Sequence, residues 1–369
     1  MPWDWSSPMT CNLPETKKQV DVLVVGLGPA GASSARGAAE RGCSVLAIDR
    51  KTRFGEPVQC AEFVPLALRS HGIDANAIVQ SIRTMRSTLA SGETNSVGSA
   101  GLMLHRARFD RALIERARQH GARVLNATVL QQLDVADRRA LIRTPNGTTQ
   151  VRYQFLIAAD GARSQVARLA KRSMLQTLRT QQYSVPLNVA SEVIDVHLSP
   201  QYPGGYGWVF PKNDVANIGV GFVVRSTAAL KLALVALLQT LVQQGVLQNN
   251  ILSRTGGEIP ISGMRDDLVQ DHILFTGDAA GLTHPITGAG IATAVISGEQ
   301  AGACAAEYIH GAGSASLLDY VESLRDVYGP VLSRALSKRR EMMRVLHLQQ
   351  HLSETGLRQC WTGFPDYFH

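Results

Sequence analysis

At 369 residues, with 45% hydrophobic side chains and a mean hydropathy of −0.02, the chain has the composition of a globular enzyme large enough for two core-bearing lobes. Its apolar runs, such as 22–25 and 232–238, are far too short to span a bilayer, residues 1–16 lack the pattern of a secretion signal, and the five cysteines show no C-x-x-C spacing, which favours reduced thiols in a cytoplasm. A net charge of +7 and a pI near 9.3 bring anionic partners into view, although nothing resembles a nucleic-acid module.

Residues 1–18 are expected to form an irregular arm. A strand over Val20–Val25 then runs into Gly26-Leu27-Gly28-Pro29-Ala30-Gly31, followed by a helix over Pro29–Arg41 and a second strand, Ser44–Ile48, ending at Asp49-Arg50. Gly26 permits the tight turn, Gly28 lets backbone approach a pyrophosphate, and Gly31 lets helix and strands pack closely. The amides opening the helix point at the phosphates, where the helix dipole also favours negative charge. The Asp49 carboxylate is placed to accept from the hydroxyls of an adenosine ribose. Residues 63–102 lose helical regularity and gain Ser, Thr and Gly, as expected of strands crossing into a second sheet.

A helix over 107–120 closes at Gly121, and 123–130 is β-rich. The turn Pro145-Asn146-Gly147 joins strands at 140–144 and 148–153, and a further strand at 155–159 ends at Asp160-Gly161. Alternation over 181–225 again signals sheet, with a turn at Asn213-Asp214. Tyr206, Trp208 and Phe210 share one strand face, either as core or as the wall of a substrate chamber. A strand at 273–276 leads into Gly277-Asp278, His284-Pro285 and the helix start Gly288-Ala289-Gly290-Ile291. A helix over 316–351, broken or kinked at Pro330, carries Val331, Leu332, Leu336, Met343 and Leu346 on an apolar face. Its basic residues Lys338, Arg339, Arg340 and Arg344 form either a solvated face or a contact for acidic lipid or an acidic protein.

The Gly26–Gly31 turn, Ala159-Asp160-Gly161-Ala162-Arg163-Ser164, and Gly277-Asp278 with Pro285, Gly288 and Gly290 together resemble the flavoprotein hydroxylase superfamily. Within it, Pro203-Gly204-Gly205-Tyr206-Gly207-Trp208-Val209-Phe210-Pro211 matches the P-x-x-Y-x-W-x-F-P signature of the geranylgeranyl reductase family at every specified position. Pro57-Val58-Gln59-Cys60-Ala61-Glu62 is similar to that family's Cys-containing loop beside the flavin, and Leu104-His105-Arg106-Ala107-Arg108-Phe109-Asp110 resembles its Arg and Phe-Asp segment.

The fold expected is α/β. A three-layer Rossmann-like FAD-binding domain (19–62, 103–172, 270–310) interleaves with a mixed β-sheet substrate domain (63–102, 173–269), and a helical segment (311–369) follows. The resemblance implies FAD, reduced by NAD(P)H as a transient donor or by a ferredoxin-like carrier, and hydride transfer to an apolar or unsaturated acceptor such as a polyprenyl C=C. It places Arg106 on the cofactor and the Val129 backbone near the adenine. Asp160 is expected to stabilise the loop beside the pyrophosphate, and Asp278 to accept from a ribityl hydroxyl. Gly288, Gly290 and Ile291 would present a helix start to the flavin N1 and C2=O edge. Cys60, Tyr206, Trp208 and His284 are the catalytic candidates, and no metal ligand set is assigned.

The short tail 361–369 implies a more open pocket than many prenyl reductases have. Two rival readings therefore stay open: a monooxygenase or redox partner acting on another protein as a protein-bound cofactor matures, and an electron-transfer flavin subunit. The expected partners are an apolar small molecule or protein substrate, an electron-donor protein, and peripheral contact with a membrane.

Overall fold

The structure is a computed structural model that describes residues 19–223, 226–349 and 351–369. The arm expected at 1–18 lies outside the described residues. In chain order the first half comprises β1 (Gln19–Val25), α1 (Pro29–Ala39), β2 (Val45–Ile48), β3 (Phe63–Pro65), β4 (Ile78–Thr88), β5 (Thr94–Leu104), α2 (Arg106–Gln119), β6 (Arg123–Leu125), β7 (Val129–Asp134), β8 (Arg139–Thr144) and β9 (Gly147–Ala158). The second half comprises α3 (Gln165–Leu169), β10 (Thr177–Pro186), β11 (Val193–His197), β12 (Tyr206–Lys212), β13 (Val215–Phe222), α4 (Thr227–Gln243), β14 (Ser253–Pro260), β15 (Val269–Gln270), β16 (Ile273–Phe275), α5 (Ile291–Glu307), α6 (Ser314–Gln349) and α7 (Glu354–Cys360).

The strands form two eight-stranded sheets. The first runs β15-β16-β9-β1-β2-β6, parallel from β16 to β6, with β8 and β7 continuing antiparallel from β9. Covered on both faces, its central strand carries the unbroken apolar run Val22–Val25, as parallel sheets require. α1 and α5 lie so close that a Cβ on Gly298 would come within 2.2 Å of the Ala30 carbonyl oxygen, and one on Gly302 within 2.3 Å of that of Ser34. The second sheet runs β14-β10-β13-β12-β11-β4-β5-β3, antiparallel except where β11 meets β4. Leu230, Leu234 and Leu237 of α4 join Val185, Val209 and Ile218 in a core on one of its faces.

The α/β class, the two sheets and the helical C-terminal segment are as the sequence implied. β5 stays in the second sheet as far as Leu104, and β15 enters the first at Val269. Three local expectations change. The strands expected at 148–153 and 155–159 are one strand, β9, because its first half pairs with β8 while its second half pairs with β1 and β16. α6 runs through Pro330 without a break; Pro330 and Asp326, whose carbonyl loses its donor, are both exposed. Val331 is 57% exposed, and the buried stripe is instead Leu332, Ala335, Arg339 and Met342.

Candidate active site

Two helices begin on one cavity of about 450 Å³. α1 starts at Gly28 and α5 at Gly290, neither with a side-chain cap nor an acid in its first turn. Gly28, Pro29 and Ala30 line the cavity from one side, and Gly288, Gly290 and Ile291 from another. Free N–H groups at a helix start attract anions and electron-rich oxygens. The glycines have distinct duties. A Cβ on Gly28 would meet nothing within 4 Å, so its bareness serves whatever fills the cavity, whereas one on Gly31 would sit 1.8 Å from the Gly26 carbonyl oxygen. Gly26 itself has φ +95 and sits against Ala159. Open space over Gly28 and two uncapped helix starts fit a dinucleotide carrying a flat redox ring.

The acids around this cradle are already partly engaged. Asp49 Oδ2 accepts from the Leu27 amide at 2.7 Å and Oδ1 from that of Lys51 at 2.8 Å, which fixes the turn and leaves a second lone pair on each oxygen. Asp160 Oδ2 accepts from the Val166 amide at 2.9 Å, and its Oδ1 is buried without a partner among the described residues. Asp278 lines the cavity and accepts from Thr283 Oγ1 at 2.5 Å. Burial raises the carboxyl pKa of both Asp160 and Asp278. Gly277, just before Asp278, is buried at φ +57. Arg106 lines the cavity with its guanidinium forked onto Asp110 at 3.1 and 3.2 Å. Val129 begins β7 opposite Arg143, and Arg50 is exposed; neither lines this cavity.

Aromatic side chains line the same cavity. Tyr206, Trp208 and Phe210 of β12 all line it. Tyr206 lies 5.8 Å from Trp208 and 4.8 Å from Trp361, ring centre to ring centre, and Phe63 meets Phe210 edge-on at 6.2 Å. Trp361, from the tail expected to leave the pocket open, is 3% exposed and donates to Ser87 Oγ at 2.8 Å. The short tail thus turns back and walls the chamber.

Cys60 lines the same cavity. Gln182 anchors it, donating to the Cys60 carbonyl at 3.0 Å while accepting from Trp208 Nε1 at 3.2 Å. Burial pushes the thiol pKa up against the partial opposition of Arg106. Behind it the buried Glu62, at φ +73, accepts from the Arg106 amide at 2.9 Å, Lys212 Nζ at 2.6 Å and Asn217 Nδ2 at 2.8 Å. In the sequence Glu62 is only the last residue of the Pro57–Glu62 loop. The acid at the end of that motif, followed by a lysine in the next sheet, was the only signal for it.

His284 is redirected. It does not line the cavity, and its Nδ1 accepts from the amides of Ile286 and Thr287 at 3.3 and 3.2 Å. Burial lowers its pKa to about 4, so the ring is neutral at pH 7 and holds the loop rather than offering a proton. The basic cluster of α6 is likewise divided: Arg339 is buried, Arg344 pairs with Glu341, and Arg340 is exposed.

Comparison with known proteins settles the family. Residues 19–334 match the family model described as an FAD binding domain. The chain belongs to this FAD-binding oxidoreductase family. Among its relatives, the digeranylgeranylglycerophospholipid reductase of Methanosarcina acetivorans is 33% identical over 84% of this chain and 79% of its own length. Digeranylgeranylglycerophospholipid reductase 1 of Methanopyrus kandleri is 36% identical over 79% of this chain and 81% of its own. The crystal structure of a geranylgeranyl bacteriochlorophyll reductase-like protein from Thermoplasma acidophilum superposes with a TM-score of 0.82 at 25% identity, covering 95% of this chain and 97% of that one. FAD is therefore the cofactor of this oxidoreductase, on the geranylgeranyl-reductase branch of the family. Among the described residues, no helix is long and apolar enough to cross a membrane.

Proposed function

We propose that the protein reduces isolated C=C bonds of a polyprenyl chain seated against Tyr206, Trp208, Phe210 and Trp361. One observation carries this reading: the uncapped helix starts at Gly28 and Gly290, the aromatic side chains of β12 and Cys60 all line a single cavity. Bound FAD supplies the hydride. The amides of Gly28 and Ala30 would hold its pyrophosphate, and the start of α5 at Gly290-Ile291 would favour negative charge on the ring edge. Asp278 would fix the ribityl chain and Asp49 the adenosine ribose.

The chain's own part in the reaction is orientation, dryness and a proton. Four aromatic side chains exclude water and offer flat surfaces to a polyunsaturated chain. Because burial keeps the Cys60 thiol protonated, it has a proton to deliver to the alkene carbon that does not take hydride. Gln182 and the Glu62–Lys212–Asn217 cluster hold that loop at its height above the cradle. Tyr206 is unsuited to the proton role, since its hydroxyl is committed to the Thr287 carbonyl at 2.5 Å.

The test is anaerobic. Protein reduced with dithionite is mixed with geranylgeraniol, and the products are weighed by mass spectrometry for stepwise addition of two hydrogens. Flavin that stays reduced beside unchanged alcohol, or product that carries oxygen once air is admitted, would transfer the assignment to a monooxygenase acting elsewhere.

A further inference from the structure

A second cavity, of about 1120 Å³, shares β10 with the first. Thr180 of β10 and Gly256–Ile259 of β14 line the first cavity, while Thr177–Arg179 of β10 and Ile261, just past β14, line the second. Five arginines line the second, namely Arg163, Arg179, Arg265, Arg339 and Arg340, against two aspartates, Asp266 and Asp267. Pairing uses up part of this charge. Arg265 forks onto Asp267, and Arg163 and Arg179 share Glu258. Arg339 and Arg340 have no carboxylate partner among the described residues.

Arg339 is the unusual member. It is 4% exposed, Nη1 donates to the carbonyls of Gly204 at 3.2 Å and Pro285 at 3.1 Å, and Nη2 is buried with no partner among the described residues. A guanidinium cation buried without a counter-ion is costly unless an anion completes it. Burial lowers its pKa only to about 10, so it remains charged at pH 7. The apolar part of the lining comes from Leu336 and Met343, on the same face of α6 as Arg339, and from Met174, Met264 and Phe222, while Ser173, Gln176, Thr177 and Ser262 add polar groups.

We propose that this second cavity binds a phosphate ester with an apolar or flat organic part, its phosphate seated on Arg339 and Arg340. A planar guanidinium with one edge held by carbonyls and the other bare is suited to phosphate oxygens. Two sources share this chemistry: a nicotinamide dinucleotide bringing electrons, and a prenyl phosphate bringing its own head group. The carbonyls that Arg339 holds belong to the loop before Tyr206 and to the turn whose Thr287–Gly290 line the flavin cavity, so occupancy reaches the active site through two short contacts. That link to turnover rests on the function proposed above; the binding site itself does not.

The experiment uses the FAD-loaded protein and inorganic pyrophosphate as calorimetric probe, with NADPH and geranylgeranyl monophosphate as competitors. Saturable binding is expected, weakened at least about tenfold by Arg339→Met and by the exposed-site variant Arg340→Glu, the scale of one or two charge-assisted hydrogen bonds. Flavin absorbance and the thermal midpoint check that each variant is folded. Displacement by NADPH alone identifies the donor, by the prenyl phosphate alone the substrate, and by both a shared phosphate seat. No saturable binding, binding within about twofold of wild type in both variants, or pyrophosphate that neither organic ligand displaces overturns the proposal. Geranylgeraniol, which lacks the phosphate, still reports on the first cavity, so the two readings fail separately.

Discussion

At the scale of single residues, Gly28 and Gly31 should separate binding from folding although both belong to one motif. A Cβ on Gly28 meets only open space, so Gly28→Ala is expected to fold with unchanged stability and to retain less FAD, read by flavin absorbance after desalting. Gly31→Ala drives a Cβ into the Gly26 carbonyl and should lower the melting temperature of the flavin-free protein as well, at a cost of about 1–3 kcal/mol. His284 yields a pH prediction. Its folded pKa of about 4 lies below the unfolded value of 6.5, so its contribution to stability is complete above that higher value and is lost as pH falls between the two. The loss has an upper bound of about 3 kcal/mol, and melting curves at both ends of the window should show a smaller acid penalty for His284→Asn than for wild type. Cys60, held as a thiol, should give a rate that is flat through neutrality and falls only in alkali. Cys60→Ala should keep its flavin while losing about a hundredfold or more in turnover under single-turnover conditions.

Elements explain why the cradle is rigid. α1 and α5 both aim their first turns at the cofactor space, and glycines let them approach backbone to backbone: Gly298 against Ala30, Gly302 against Ser34, and Gly37 against Glu299. Arg36 and His71 both close on the Glu299 carboxylate at the same seam. Gly302→Ala, far from any reacting atom, is expected to destabilise the fold by about 1–3 kcal/mol through overpacking and to raise the FAD dissociation constant, measurable by fluorescence titration. On the second sheet, β12 does two jobs with one alternation. Tyr206, Trp208 and Phe210 face the chamber, while Val209 packs toward α4. This alternation was legible in the sequence because strand geometry is local, as were the Gly26–Gly31 turn and the helix start at Gly290.

The whole molecule supplies what those local signals could not. Trp361 reaches the chamber only because α7 and the chain end fold back along α6 and dock beside β4, where Trp361 meets Ser87 and Arg358 meets Glu93. No periodicity in a nine-residue tail announces such a contact. Glu62 and Gln182 were illegible for the same reason, since their partners Lys212, Asn217 and Trp208 come from distant strands. The burial of Arg339 inside an apparently basic surface run was hidden because charge counting cannot say which way a helix faces. β9 illustrates the opposite limit: its two halves read as separate strands because they serve different neighbours. The interleaving also sets an order of assembly. β16 slots beside β9 from more than a hundred residues further along, and α5 follows it, so a chain emerging from the ribosome can complete its cofactor cradle only when most of its length is already out. Until then the apolar edge of β9 that β16 will cover is open to wrong partners.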